Sequence, residues 1–262
     1  MHKTLKVWDV TTGAERLIFT DHIKWITGCA VSPDGKWIVS ASADRTLKVW
    51  ETATGAQLLT LTGHTDEITS CAVSPNGRLI VSASRDKTLK VWKATTGAQR
   101  FTLTGHTLDV FNCTVSPDGK WIVSASADRT LKVWETATGA QLLTLTGHTN
   151  SIFSCVVSPD GRRIVSASGD DTLKVWDVAT GAQCLTLSGH ADTVHGCAMS
   201  PNGNFIVSAS SDKTLKVWDV QTGQCLLTFP VDGALFCCAF HPDGEHLVAC
   251  GDQGVFFLRL IV

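Results

Sequence analysis

The sequence of 262 residues contains no tyrosine, few charged residues (18%) and no large excess of either charge, with 22 Lys and Arg against 24 Asp and Glu. Nucleic-acid binding depends on a basic surface that displaces counterions, so we expect no nucleic-acid partner. The longest apolar runs, around residues 235–240 and 255–262, are too short to cross a bilayer, and no apolar signal region follows Met1. We therefore expect no membrane association.

Cysteine pairs with the spacing of redox or zinc motifs are also missing. None of the ten cysteines forms a Cys-x-x-Cys pair, and they lie in alternating apolar segments such as Ser70-Cys71-Ala72-Val73. In such segments cysteine acts as a small core residue rather than as part of a disulfide scaffold. This usage predicts a reduced, cytoplasmic location.

The motifs of common enzyme classes are absent as well. The chain has no Gly-x-x-x-x-Gly-Lys-Ser/Thr or Gly-x-Gly-x-x-Gly loop that would hold phosphates, no His-Glu-x-x-His and no Gly-x-Ser-x-Gly. We expect no cofactor and no enzymatic activity.

What the chain does contain is one unit repeated at a period of 42 residues. Two stretches, 31–65 and 115–149, are identical over their whole length and lie two periods apart, which indicates duplication of a two-repeat block. Tryptophan marks the same place in successive copies: Trp8, Trp50, Trp92, Trp134, Trp176 and Trp218. A period of this length is typical of a repeat architecture and not of several separate domains.

Each unit predicts four short strands. In the second full unit these are residues 68–74, 79–84, 88–92 and 99–103, separated by turn signals such as Pro75-Asn76-Gly77 and Thr96-Gly97. Gly-His, Ser-Pro-Asp-Gly, Ser-x-x-x-Asp and a tryptophan six residues beyond that Asp follow in order. With these motifs the chain resembles the WD-repeat β-propeller family, and the resemblance implies an all-β fold of four-stranded antiparallel blades.

Counting strands predicts a single domain over 1–262, with a partial repeat at 1–20, five full repeats over 21–230 and a degenerate repeat at 231–262. The count favours six blades, closed by residues 15–20 adding a fourth strand to the blade formed by 234–261, because this removes two exposed sheet edges. Residues 4–10 would then be surplus, and a seven-bladed parent protein stays an alternative, since His2 stands where later repeats have Asp. The last repeat has Asp232 in place of His and Leu258 in place of Trp, so we expect it to be the weakest blade.

Every full repeat carries one His, Ser, Asp and Trp at constant spacing. The sets are His22, Ser40, Asp44 and Trp50; His64, Ser82, Asp86 and Trp92; His106, Ser124, Asp128 and Trp134; His148, Ser166, Asp170 and Trp176; and His190, Ser208, Asp212 and Trp218. Five equivalent copies do not fit one Ser-His-Asp active site. The resemblance implies instead that each set forms a buried hydrogen-bond chain within its blade.

Two patterns raise the question of a metal. One cysteine per blade, at Cys29, Cys71, Cys113, Cys155, Cys197 and Cys238, places the thiols too far apart to share an ion, so we interpret them as core residues. The last repeat adds His241 and His246 on either side of Pro242-Asp243-Gly244. Two imidazoles on a turn do not complete a tetrahedral site, so we predict no metal.

Comparison of the repeats with one another shows where they differ while their frame stays constant. Variation is concentrated just after Gly-His, at the start of the first strand and before the repeated Asp, and the resemblance implies that these places share the top face around the central channel. The predicted partner-binding residues are Trp25, Thr27, Asp66, Glu67, Arg85, Asp109, Phe111, Phe153, His195 and Phe236. Aromatic residues and arginine are the side chains that dominate protein interfaces.

These observations predict a non-catalytic, monomeric interaction scaffold that binds a protein or peptide on its top face. The segment 229–262 also resembles the terminal blade of propellers in multidomain bacterial signalling NTPases, which suggests a sensor or regulatory domain of a larger signalling protein. Two alternatives stay open. One is a purely architectural repeat tract, favoured by the identical stretches, and the other is a hydrolase or metal site in the propeller channel.

Overall fold

The computed structural model describes residues 3–9 and 11–260, and its regular elements there are all β-strands. Met1, His2, Val10, Ile261 and Val262 lie outside the described residues, so the predicted role of His2 is not placed. Nowhere in the described ranges is there a helix with the length and apolarity needed to span a membrane.

The strands form five four-stranded antiparallel blades, one three-stranded blade and an N-terminal hairpin. The hairpin consists of β1 (Leu5–Trp8) and β2 (Glu15–Phe19). Blade one comprises β3 (Ile26–Val31), β4 (Trp37–Ser42), β5 (Thr46–Glu51) and β6 (Gln57–Thr62); blade two comprises β7 (Ile68–Val73), β8 (Leu79–Ser84), β9 (Thr88–Lys93) and β10 (Gln99–Thr104).

The remaining blades repeat this order. Blade three comprises β11 (Val110–Val115), β12 (Trp121–Ser126), β13 (Thr130–Glu135) and β14 (Gln141–Thr146); blade four comprises β15 (Ile152–Val157), β16 (Arg163–Ser168), β17 (Thr172–Asp177) and β18 (Gln183–Ser188). Blade five comprises β19 (Val194–Met199), β20 (Phe205–Ser210), β21 (Thr214–Asp219) and β22 (Cys225–Pro230), and blade six comprises β23 (Leu235–Phe240), β24 (His246–Gly251) and β25 (Gly254–Arg259). The predicted all-β, six-bladed propeller is confirmed.

The turn between the first and second strands follows from its residues. In blade two the Gly77 N–H donates to the Ser74 carbonyl at 2.8 Å, and Gly77 has a φ of 67°, a conformation that glycine adopts without steric cost. The Asn76 side chain accepts the Arg78 N–H at 3.0 Å. These turns define the bottom end of each blade, and the first strand of each blade begins at the opposite, top end.

The core is formed between successive blades. The first strands of blades that are consecutive in the chain pack against one another, and the second strands of the five complete blades are almost wholly buried. On the outside, the tryptophan of one blade covers an apolar residue on the fourth strand of the blade before it, as Trp134 does for Leu103. Gly105 permits this approach, because a Cβ there would lie 3.1 Å from the Trp134 ring.

Each of the five complete blades contains a hydrogen-bond relay made by its repeated Trp, Ser, His and Asp. The Trp Nε1–H donates to the Ser Oγ at 2.8–3.0 Å. The Ser Oγ lies 2.7–2.8 Å from the His Nε2, and the His Nδ1 lies 2.6–2.7 Å from the Asp Oδ2. An ionised Asp only accepts, so Nδ1 carries the imidazole proton and Nε2 accepts the Ser O–H.

The Asp at the end of the relay joins two separate segments of the blade. In blade three, Asp128 Oδ2 also accepts the Thr107 N–H at 3.1 Å, next to His106. Its Oδ1 accepts the N–H and the hydroxyl of Thr130 at 3.0 and 2.7 Å, at the start of β13. The relay therefore connects the loop between blades to the second and third strands, and every polar group in it has a partner.

The ends of the chain pair differently from the prediction that residues 15–20 would complete the C-terminal blade. The β2 strand pairs with β1, with Leu5 opposite Phe19 and Val7 opposite Leu17, and no ladder joins β2 to β25. Residues Leu5–Trp8 are thus not surplus but form a local hairpin, closed by the Gly13 N–H donating to the Asp9 carbonyl at 2.8 Å. Pairing of sequence neighbours closes a short loop, whereas the predicted pairing joins the two ends of the chain.

The N-terminal hairpin supplies only outer strands, so part of blade one stays uncovered. Phe19 of the hairpin packs on Ile38 and Trp50. The inner strand β3 leaves Cys29 and Val31 exposed, beside a cavity of about 720 Å³ between β3 and the hairpin. Cys29 therefore does not share the burial of its repeat equivalents Cys71 and Cys113.

Blade six lacks the relay, and its neighbour reflects this. Its Asp232 and Leu258 occupy the His and Trp positions. On the fourth strand of blade five, Phe229 is 44% exposed, whereas its equivalent Leu187, covered by Trp218, is fully buried. The absence of one indole therefore coincides with an aromatic side chain left in solvent, and the weakness of blade six stays a prediction.

Removing one relay carboxylate is expected to destabilise the whole domain. We predict that Asp128→Ala lowers the free energy of unfolding by about 1–3 kcal/mol, because the buried His106 and the N–H groups of Thr107 and Thr130 lose their acceptor. Asp118→Ala, on the exposed turn of the same repeat, is the matched control and should cost less. Urea unfolding measures both, and equal midpoints for Asp128→Ala and the parent would contradict the structural role of the relay.

Stability is also expected to fall on acidification. Burial raises the pKa of Asp212, but hydrogen bonds from Thr214, the Ala191 N–H and His190 outweigh it and hold the pKa at about 2. Burial lowers the pKa of His148 and of His190.

For all three groups the unfolded chain binds more protons, so stability rises with pH. The histidine contribution is lost as the pH falls below about 6.5, and the Asp212 contribution is lost from about pH 4 down to about 2. Melting temperatures measured between pH 7 and pH 2.5 test this, and a transition that does not change with pH would contradict it.

Candidate functional site

The first strands of all six blades bring one side chain each to the top end of the central channel. These side chains are Thr27, Thr69, Phe111, Phe153, His195 and Phe236. Together with Trp25, Glu67 and Arg85 they line a single cavity of about 350 Å³, which we call the channel mouth. Its size lies at the lower end of the range for ligand pockets.

Four consecutive blades contribute an arc of rings to the channel mouth. Phe111 stacks on Phe153 with ring centroids 5.1 Å apart, and Phe153 lies 5.3 Å from His195. At the end of this arc His195 lies against Phe236, with ring centroids 5.4 Å apart and an interplanar angle of 70°. These offset and edge-to-face arrangements are favourable for aromatic pairs, and Phe236 remains about half exposed for a further contact.

The other two blades place threonine at the same position. Thr27 Oγ1 donates to the Ile68 carbonyl and Thr69 Oγ1 to the Val110 carbonyl, each at 2.6 Å. Both hydroxyls therefore connect neighbouring first strands. The same position joins blades by hydrogen bonds on one side of the channel and by ring contacts on the other, so the mouth has a polar half and an aromatic half.

Charged groups complete the polar half. Arg85 Nε lies 3.3 Å from Glu67 Oε2, and Arg85 Nη1 lies 3.7 Å from Asp109 Oδ2. Arg85 is about half exposed, and Trp25, on the adjacent blade, is 40% exposed. One guanidinium thus holds two carboxylates from neighbouring blades at the edge of the cavity, with free donor capacity toward solvent.

His195 is a polar group within the aromatic arc. Its Nε2 lies 2.8 Å from the Ser211 Oγ, which precedes the relay residue Asp212. Burial lowers the pKa of His195, and the Asp192 carboxylate offsets only part of this effect. The imidazole is therefore neutral at neutral pH and offers hydrogen-bonding capacity without charge.

The structure brings together most of the partner-binding residues that were predicted by comparing the repeats with one another. Trp25, Thr27, Glu67, Arg85, Phe111, Phe153, His195 and Phe236 line the channel mouth, and Thr69 is an addition to that set. Asp109 reaches the mouth through its contact with Arg85, whereas Asp66 lies outside the lining, with its Oδ1 bonded to the Glu67 N–H at 2.7 Å. Whether these residues bind a partner stays a prediction.

The five relays have the distances of a Ser-His-Asp triad but not its accessibility. Ser40, Ser82, Ser124, Ser166 and Ser208 are fully buried, and each Oγ already accepts an indole N–H. A nucleophile must reach a substrate carbonyl, which a buried hydroxyl inside a blade does not. The relays are structural groups.

Comparison with known protein families identifies the repeats. The WD40 family model, described as WD domain, G-beta repeat, matches residues 13–51, 55–93, 97–135, 139–177, 181–219 and 223–257. Each match begins with one fourth strand (β2, β6, β10, β14, β18 or β22) and continues through the first three strands of the blade that follows it in the chain. No curated protein matches the chain.

A second cavity, which the sequence comparison did not indicate, lies at the bottom end between blades four and five. Its volume is about 430 Å³, and its lining includes Arg162, Arg163, Asn202 and Gln221. Arg163 stands where blade one has Trp37, and its Nη1 donates to the Val220 carbonyl at 3.0 Å. The arginine thereby bridges two blades, which is a structural use of the group.

One disulfide was missed by the expectation that the cysteines are core residues. Cys237 on β23 and Cys250 on β24 are directly paired across the strands, with Cα atoms 5.4 Å apart, and form a disulfide bond. Blade five has Gly196 and Ala209 at these two positions. The 13-residue separation of the two cysteines matches no known motif. Aligning the strands of the last repeat with those of the other repeats would have placed the two cysteines opposite each other.

The thiols are expected to react in two classes. Cys184 and Cys225 are exposed on fourth strands, whereas burial raises the pKa of Cys71 and Cys155 well above the ordinary value. We predict that a maleimide labels Cys184 and Cys225 quickly in the native protein, and that Cys71 and Cys155 react only after unfolding.

Mass spectrometry of labelled peptides, with and without a reductant, reads out both the thiols and the bridge. Labelling of Cys237 and Cys250 should require reduction. Rapid native labelling of Cys71 or Cys155 would contradict the assigned burial.

Proposed function

The chain belongs to the WD40 repeat family, whose propellers commonly act as protein-interaction scaffolds, and we propose that this one binds a protein or peptide at its channel mouth without catalysing a reaction. The main support for this proposal is that variable residues converge on one place. Residues that differ between otherwise repeated units meet in one cavity, with at least one side chain from each of the six blades.

The two halves of the mouth suit different parts of a peptide. The arc of Phe111, Phe153 and Phe236 offers ring faces and edges to one apolar or aromatic side chain. Arg85 and Glu67 offer a donor and an acceptor to the peptide backbone beside it. A cavity of about 350 Å³ holds one or two side chains, so we propose a short exposed segment as the occupant.

We extend the proposal to the setting of the domain. Eight of the ten cysteines are free, which supports a reducing, cytoplasmic compartment in which the Cys237–Cys250 bridge would be an exception. A monomeric domain that serves as the sensor or regulatory part of a larger signalling protein is the role that we propose for it.

Selection of peptides on the intact chain tests the binding site. We predict that a phage-displayed random peptide library yields binders whose affinity falls more than about tenfold on Trp25→Ala/Arg85→Ala and on Phe153→Thr. Threonine is the residue that blades one and two have at the Phe153 position, so this change keeps a side chain that the fold accepts. Fluorescence polarisation with the selected peptides measures the affinities.

Asp118→Ala, on a bottom turn, is the control and should bind the peptides as the parent does. Thermal melting verifies that each variant is folded. Failure to enrich any peptide, or equal affinity of the enriched peptides for all variants, would count against the channel mouth and in favour of an architectural repeat tract.

A further inference from the structure

The bottom turn of blade six differs from the other five at three positions: one is Glu245, and the other two are histidines. The first residue of this turn is serine in blades one to five (Ser32, Ser74, Ser116, Ser158 and Ser200) and His241 in blade six. The residue five places later is Trp37, Leu79, Trp121, Arg163 or Phe205 in the others and His246 in blade six. Both changes introduce imidazoles, and the acidic or amide position between them is retained as Asp243.

The three side chains converge on one point. His241 Nδ1 lies 2.9 Å and His246 Nδ1 lies 2.7 Å from the same oxygen, Asp243 Oδ2. The three atoms that could serve as ligands all lie within 4.8 Å of one another. The two rings are perpendicular, with centroids 6.2 Å apart, so each presents its Nδ1 edge to the carboxylate.

The turn itself holds the carboxylate in place. Asp243 Oδ1 accepts the N–H groups of Glu245 and His246 at 2.8 and 2.9 Å, which leaves Oδ2 directed at the imidazoles. The anion is therefore positioned before any ion arrives.

His241 Nδ1 has two contacts with Asp243 that a neutral imidazole cannot satisfy together. The Asp243 N–H donates to His241 Nδ1 at 3.3 Å, so that nitrogen presents a lone pair. The same nitrogen faces Asp243 Oδ2 at 2.9 Å. With a lone pair Nδ1 accepts the backbone N–H, and with a proton it donates to the carboxylate instead. A cation between Nδ1 and Oδ2 would be bound by lone pairs of both atoms.

We propose that His241, Asp243 and His246 form a binding site for a divalent transition-metal ion, with Zn²⁺ as the representative. Imidazole nitrogen and carboxylate oxygen are ordinary zinc ligands, at bond lengths of about 2.0–2.2 Å. The side chains of His241 and His246 are 57% and 54% exposed, which allows the small separation needed to admit the ion. Three protein ligands leave a fourth position open to water or to a group from a partner.

Two imidazoles on a turn do not complete a tetrahedral site. Asp243 supplies the third ligand. The site lies on the bottom turn of blade six, whereas the channel mouth opens at the top end, so metal binding and peptide binding are separate properties that can fail independently.

Calorimetric titration of the full chain with ZnCl₂ tests the site. We expect one ion per chain at these residues, with affinity weakened more than about tenfold in each of His241→Ser, His246→Leu and Asp243→Asn. All three changes introduce residues that other blades have at the same positions, namely Ser74, Leu79 and Asn76. The fold therefore accepts them, and a melting curve verifies this for each variant.

Asp118→Asn is the matched control, because it makes the same chemical change on the turn of blade three, where no histidine is present. It should leave the affinity unchanged. Zn²⁺ should also raise the melting temperature of the parent and of Asp118→Asn but not of the three site variants. No heat of binding, or binding that survives both histidine substitutions, as it would if thiols held the ion, would overturn the proposal.

Discussion

The buried Trp–Ser–His–Asp relay is the interaction on which the rest of this structure depends. It satisfies an indole N–H, a hydroxyl, an imidazole and a carboxylate inside each complete blade, and it joins the loop between blades to two strands. A partly satisfied network of this kind would cost free energy, whereas a complete one fixes a single arrangement. Because five blades are fixed in the same way, their first strands reach the channel mouth in equivalent positions.

The relay fixes the identity of some residues in each repeat and leaves others free to vary. In the five complete blades the relay positions repeat unchanged, since a substitution there leaves a buried group unpaired. The bottom turns of these blades keep Ser-Pro-Asp/Asn-Gly. The position at the start of the first strand changes from Thr27 to Phe111 to His195, because a hydroxyl on a carbonyl and a ring on a ring both join adjacent blades. The channel mouth acquires its polar and aromatic halves from this tolerance.

Most of the fold could be predicted from the sequence because it contains several copies of one unit, and these copies can be compared with one another. The period, the turn residues and the relay spacing predict blades, strand order and the convergence of Trp25, Phe153 and Phe236. The pairing of the chain ends could not be predicted, because strand counting does not weigh a local hairpin such as Leu5–Trp8 with Glu15–Phe19 against a long-range ladder. The Cys237–Cys250 bridge depends on strand register, and the contact of Asp243 with two imidazoles depends on side-chain orientation.

Blade six shows what happens when the relay is absent. Leu258 replaces the tryptophan, Phe229 on the preceding blade is left in solvent, and the blade has only three strands. Such a blade is expected to open before its neighbours, because local opening requires less free energy where fewer buried contacts and polar partners hold the strands.

Native-state hydrogen exchange in low concentrations of urea, followed peptide by peptide, measures the opening free energy of each blade. We predict that amides of β23 to β25 exchange at a lower opening free energy than amides of β11 to β14 in blade three. Equal opening free energies in the two blades would contradict the claim that the relay stabilises each blade that contains it.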